Sequence, residues 1–104
     1  MLTKKLKILS EFKTPLPLFN AEKIMVLLPY EDGRTLEKNN VSIISEENGM
    51  IELTLSDFEL QGLKVGRNNF LAKVFMKDGT LYTVNFANGC SIAVDDRTQR
   101  KVWL

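Results

Sequence analysis

The stretch Asn68-Asn-Phe-Leu-Ala-Lys-Val-Phe-Met-Lys-Asp-Gly-Thr-Leu-Tyr-Thr-Val-Asn-Phe-Ala87 decides the fold. Up to Met76 its side chains alternate, with Phe70, Ala72, Val74 and Met76 on one side of the chain and Leu71, Lys73 and Phe75 on the other. That two-residue period is the period of a strand. Asp78-Gly79 then supplies a hairpin signal, because a two-residue type I′ loop needs positive φ at both central positions. The return strand runs from Thr80 to Ala87 with Tyr82, Val84 and Phe86 in register. An antiparallel ribbon is therefore the expected unit of this chain.

The flanking sequence repeats the pattern. Glu22 to Tyr30 places Ile24, Val26 and Leu28 on one face and Met25 and Leu27 on the other, which predicts a strand buried on both sides. Glu31-Asp32-Gly33-Arg34 follows as a turn. Val41 to Ile44 and Met50 to Leu55 are strands joined by the turn Glu46-Glu47-Asn48-Gly49, with Ile51, Leu53 and Leu55 sharing a face. Ser56-Asp-Phe-Glu59 carries a capping-box pattern, and Gly62 and Gly66 limit that helix to one or two turns. Toward the start, Thr3 to Leu9 sets Leu6 and Ile8 opposite Lys5 and Lys7. Pro15 and Pro17 make Phe12 to Phe19 an extended connector. Asn88-Gly89 marks a further turn, Cys90 reads as a small buried filler, and Ser91 to Val94 gives a last strand. Seven strands at intervals of about ten residues with Gly-marked corners predict an all-β, Ig-like antiparallel sandwich. Residues 1–104 are read as a single domain.

Composition narrows the chemistry. The 104 residues are 44% hydrophobic and 26% charged, with 14 Lys plus Arg against 13 Asp plus Glu. A chain of this length buries on the order of two-thirds of its unfolded surface, enough for one core. A net charge of +1 supplies no field for nucleic acid, which is held by several basic residues on one face. With no His and one Cys, a Ser-His or Cys-His couple, an internal disulfide and an ordinary zinc site are excluded. Lys5 and Lys7 interrupt the apolar residues at the start, so no signal peptide is read there and synthesis in a cytosol is expected. The longest apolar run, Ile24 to Pro29, is far short of the ~20 residues of a membrane span. Asn40-Val41-Ser42 matches a glycosylation triplet, but without a secretory signal it is a chance match.

The acidic pairs Glu31-Asp32, Glu46-Glu47 and Asp95-Asp96 lie at turns, which recruit such residues for backbone reasons. Lys4, Lys5 and Lys7 with Arg97, Arg100 and Lys101 make both ends basic, the pattern of guarded edge strands. Tyr82, Phe70 and Phe75 alternate with small apolar residues as core positions do. Val102-Trp103-Leu104 is an apolar tripeptide after a polar run, and docking to a partner and folding back onto the domain both remain open.

Several features follow one another along the chain: Pro15-Leu16-Pro17-Leu18, Ile24 to Leu28 with Asp32-Gly33, Gly49-Met-Ile-Glu-Leu-Thr-Leu55, Ser56 to Leu63, Gly66, Phe70 to Phe75, Asp78-Gly79, and Phe86 with Ile92 and Val94. In this order they resemble the amino-terminal Ig-like domain of the upper baseplate proteins of tailed phages that infect Gram-positive bacteria. The resemblance spans residues 14–94. It implies a non-enzymatic structural or adaptor protein of a phage tail or baseplate, made in the bacterial host cytoplasm and placed in the virion. It further implies partners among other virion proteins and the chain itself, as a homo-oligomer, with no cofactor, no metal, no nucleic acid and no membrane insertion. Candidate contacts, taken from apolar residues in segments expected to be exposed, are Leu2, Leu6, Ile8, Leu16, Leu18, Phe19, Val102, Trp103 and Leu104. The alternative is a monomeric binding module for a cell-surface carbohydrate or a host protein, with Trp103, Tyr30 and Tyr82 as its platform.

Overall fold

Alternating apolar side chains produce ten strands and one helical turn among the described residues. They are β1 (Leu2–Lys7), β2 (Ala21–Pro29), β3 (Thr35–Lys38), β4 (Ser42–Ser45), β5 (Met50–Leu55), α1 (Asp57–Leu60), β6 (Gly66–Asn69), β7 (Leu71–Met76), β8 (Leu81–Val84), β9 (Ser91–Val94) and β10 (Lys101–Trp103). The computed structural model describes residues 1–39, 41–84, 86 and 91–104. The Asn88-Gly89 turn, Cys90 and Asn40 lie outside them. Three antiparallel sheets form, with strand orders β3-β2-β7-β8, β1-β5-β4 and β10-β9-β6. A bridge between Ile8 and Phe86 joins the continuations of β1 and β8. One hydrophobic cluster lies between the sheets, built from inward positions such as Ile24, Val26 and Leu28 of β2, Ile51, Leu53 and Leu55 of β5, and Ile92 and Val94 of β9. The fold is all-β and sandwich-like.

Ten strands stand where seven were read, and each addition has a physical cause. The alternation from Asn68 to Met76 is not one strand. Its first half pairs with β9 and its second half with β2, so the chain changes sheet at the buried Phe70. Asn68 stabilises the switch. Its side chain is 2% exposed, its Oδ1 accepts from the Lys64 N–H, and its Nδ2 donates to the carbonyls of Lys64, Gly66 and Ile92. A buried amide with every group satisfied ties the approach loop to the neighbouring strand. β3 contains only one apolar residue, Leu36, and forms by backbone pairing along Val26 to Pro29. β10 pairs with β9, so the terminal tripeptide folds back onto the domain. The expectation that β2 is buried on both faces is corrected: Ile24, Val26 and Leu28 are buried, but Met25 and Leu27 are only half-buried.

The hairpin at Asp78-Gly79 forms, but not as a two-residue type I′ loop. The Met76 N–H donates to the Thr80 carbonyl and the Gly79 N–H donates to the Met76 carbonyl. Among the described residues of this loop only Gly79, at φ 91°, is left-handed. This is a three-residue loop in which one position takes positive φ. The same pair of bonds closes Tyr30 to Arg34, with Gly33 at φ 91°, and Ser10 to Thr14, with Lys13 at φ 62°. Asp32 and Asp78 each accept the N–H two residues on, from Arg34 and Thr80. In the Ser10 loop a lysine therefore occupies the place that glycine fills in the other two.

The connector that follows is held against the β4–β5 turn. Leu16 N–H donates to the Ile8 carbonyl, Leu18 N–H to the Glu46 carbonyl, and Ile8 N–H to the Gly49 carbonyl. Gly49 sits under this crossing, where a Cβ would meet the Leu16 carbonyl oxygen at 2.5 Å.

These loops order three substitutions by stability in urea unfolding. Lys13→Gly is expected to gain a few tenths to about 1 kcal/mol, because relief of the left-handed strain exceeds the added chain entropy. Gly79→Ala, with open space around the new methyl group, loses about 1 to 2 kcal/mol from backbone strain alone. Gly49→Ala loses more than Gly79→Ala, since steric conflict with backbone is added. A Lys13→Gly protein no more stable than the parent would show that the Ser10 loop carries no strain.

Candidate functional site

The nine candidate contact residues separate into three groups. Leu6, Ile8, Leu16 and Leu18 are core residues, which corrects their reading as exposed contacts. β1 pairs along β5 and turns Leu6 inward, and the prolines at 15 and 17 alternate with leucines that point into the cluster. Leu2 and Trp103 are half-buried against the same core. The Trp103 ring meets Phe70 edge-on, with centroids 5.4 Å apart. Lys4 Nζ lies 5.9 Å from its ring centroid, and the indole Nε1 is buried without a hydrogen-bond partner among the described residues. Only Phe19, Val102 and Leu104 are exposed. Val102 and Leu104 lie on β10 and just beyond it, whereas Phe19 lies in the turn before β2. Of the three aromatic residues of the alternative platform, Tyr30 is half-buried and donates from its hydroxyl to the Glu59 carbonyl at 2.5 Å. Trp103 is engaged with Phe70, and Tyr82 alone is exposed.

The carboxylates of Asp32, Asp78 and Asp95 are engaged by the backbone of their own turns. The Arg34 N–H holds the Asp32 carboxyl below its ordinary range, the Thr80 hydrogen bonds do so for Asp78, and the Thr98 N–H for Asp95. Each carboxylate fixes its own turn. Among the described residues no three acidic or thiol side chains gather closely enough to hold a metal ion. No described helix is long and apolar enough to cross a membrane.

The most organised polar cluster joins β3 to α1. Ser56 Oγ accepts the Glu59 N–H at 3.1 Å and Glu59 Oε1 accepts the Ser56 N–H at 2.9 Å, the reciprocal capping box. Lys38 Nζ donates to both Glu59 carboxylate oxygens at 2.8 Å. Burial pushes the Glu59 carboxyl up, but the Lys38 and Ser56 hydrogen bonds and the Lys38 charge outweigh it and leave the group below its ordinary value. This cluster locks the edge strand β3 onto the domain. Both side chains are committed to each other.

The sheets differ on their outward faces. On β1-β5-β4 that face is polar: Thr3 and Thr54 hydroxyls bond at 3.0 Å, and Lys5 stands opposite Glu52. On β3-β2-β7-β8 it is mixed, with Leu27, Leu71, Met25, Phe75 and Leu81 interleaved with Glu37, Lys23, Lys73 and Thr83. Leu27 stands opposite Leu71, and Lys23, Phe75 and Leu81 form a row across three strands. Leu71 is 44% exposed and Leu81 50%. Met25 and Phe75 are half-buried on the same face, and Lys23 Nζ lies 5.8 Å from the Phe75 ring centroid. An antiparallel sheet with one face in the core ordinarily presents polar residues on the other. None of these outward residues was among the candidates. The signal that pointed to them was the doubly apolar pattern of β2, which was assigned to burial within the chain. Comparison of the chain with protein-family models, curated proteins and solved structures found no match.

The Lys38–Glu59 pair sets a pH dependence. Because the folded pKa of Glu59 is lowered from 4.5, its contribution is complete above that value and is lost as pH falls through the folded pKa. Glu59→Gln is expected to cost about 1.5 to 3 kcal/mol at pH 7. The gap between variant and parent narrows as urea unfolding is repeated at pH values falling progressively below 4.5. A gap of the same size at every pH would remove the ion pair from the account.

Proposed function

We propose that the chain is a structural or adaptor module of a phage tail or baseplate, a non-enzymatic domain that works through self-association and docking to other virion proteins. The observation that carries the reading is the set of apolar residues on the outward face of the β3-β2-β7-β8 sheet, Leu71 and Leu81 open to solvent and Met25, Leu27 and Phe75 half-buried beside them. Exposed apolar residues gathered on one face mark interaction sites in soluble domains. The resemblance to the baseplate Ig-like domain supplies the setting, and assembly into a virion supplies the use for such a face. Removal of that face from water is the source of free energy, at roughly 25 cal/mol per Å² of apolar area. The exposed Val102 and Leu104 on the β10-β9-β6 sheet offer a second, smaller apolar contact.

Light scattering coupled to size exclusion, over a hundredfold range of concentration, tests the reading. A mass above that of the monomer, rising to a discrete plateau, is expected. A monomer at every concentration would defeat self-association and leave docking to a different protein as the only form in which the reading stands.

A further inference from the structure

Two strands form the edges of the four-stranded sheet, and they are anchored unequally. β8 places Val84 in the core, whereas no residue of β3 is fully buried. β3 pairs only with β2, along Val26 to Pro29, and its single apolar residue, Leu36, is half-buried against the core. Its firmest hold is Lys38, whose ammonium meets both Glu59 oxygens at 2.8 Å, with the two side chains 17% and 18% exposed. The inward residues of β2 do not depend on β3, since Ile24, Val26 and Leu28 pack into the cluster shared with β5 and β9. We propose that β3 is an acid-released strand, which detaches from β2 while the rest of the domain stays folded, with Glu59 as its latch. This holds whatever the chain docks to.

The latch works through a charge taken out of water. While Glu59 is ionised, the Lys38 ammonium has a counter-charge. Protonation of Glu59 leaves that ammonium four-fifths buried without one, and water becomes its better surroundings. With Lys38 gone from the site, Leu36 is the one side chain of the strand still in contact with the core. The sign follows from the folded pKa of Glu59, which lies below its ordinary 4.5. Closure is therefore supported above that value and loses its support as pH falls through the folded pKa.

The other charged groups around Glu59 do not take over its role. The Met1 amine and Lys101 act on Asp57, and Asp32 and Arg34 pair with each other in the turn after β2. Glu52 of β5 lines the same cleft but stands opposite Lys5. The Tyr30 hydroxyl donates to the Glu59 carbonyl, and burial and the Glu59 charge keep it protonated. Release bares the backbone of Val26 to Leu28, an unpaired row of the kind that recruits further strands. The sheet thus has an edge that is covered at neutral pH and opened by acid.

Native-state amide exchange of the full chain tests this, followed by NMR from pH 7 to values progressively below 4.5, with protection taken relative to the intrinsic rate at each pH. At pH 7 the β3 amides are expected to exchange roughly tenfold or more faster than those of β7, and low urea speeds β7 while leaving β3 unchanged, the mark of local opening. As pH falls, β3 loses protection severalfold. Glu59→Gln removes the charge but keeps a residue able to cap α1, so its β3 exchanges at pH 7 as the parent's does in acid. Lys38→Met removes the buried ammonium, and its β3 no longer responds to acid. Glu52→Gln behaves as the parent. Should Glu59→Gln fail to fold, the parent and Lys38→Met decide. β3 amides that exchange only together with β7, or whose protection ignores acid, overturn the proposal. So does a Lys38→Met protein that keeps the acid response, or a Glu52→Gln protein that loses it.

Discussion

One strand with apolar side chains on both of its faces sets the terms for the rest of the molecule. β2 pairs on one side with β3 and on the other with β7, and its inward triad Ile24, Val26 and Leu28 lies in the core shared by all three sheets. Its outward pair, Met25 and Leu27, stays half-buried among the described residues. The proposed function draws on that uncovered side, since it is where further burial remains to be gained.

The polar parts of the structure serve the backbone. Asn68 satisfies three carbonyls and one N–H where the chain leaves one sheet for another. Glu59 caps α1 and holds Lys38 of β3. Asp32, Asp78 and Asp95 each take N–H groups of their own turns. Side chains so engaged position strands and loops.

Much of the fold was legible because alternation and turn chemistry agree. The β4–β5 hairpin, the capping box and the β7–β8 ribbon follow from residues within a few positions of each other. What was hidden depends on distant pairing. Thr35-Leu-Glu-Lys38 shows no strand pattern of its own, because β3 is held by the backbone of β2 and by the ion pair to α1. The change of sheet at Phe70 was invisible for a different reason. Asn68, Phe70, Ala72 and Val74 all point inward, so alternation passes through the switch without a break. The loop type at Asp78-Gly79 was misread because one left-handed residue closes the hairpin as well as two. The outward face of the four-stranded sheet was half legible: the pattern of β2 showed apolar residues on both sides, but a single sequence does not say what covers the second.

The chain contains one tryptophan, and its position gives the molecule an uneven optical signature. Trp103 lies on β10, with its ring against Phe70 and its indole N–H enclosed without an acceptor among the described residues. Its emission is therefore governed by whether β10 is seated on β9, a local event at the end of the chain. Fluorescence records the seating of this strand and is nearly blind to the centre of the four-stranded sheet. A melting curve followed at that wavelength and one followed by backbone dichroism coincide only if the terminal strand and the body of the domain come apart together.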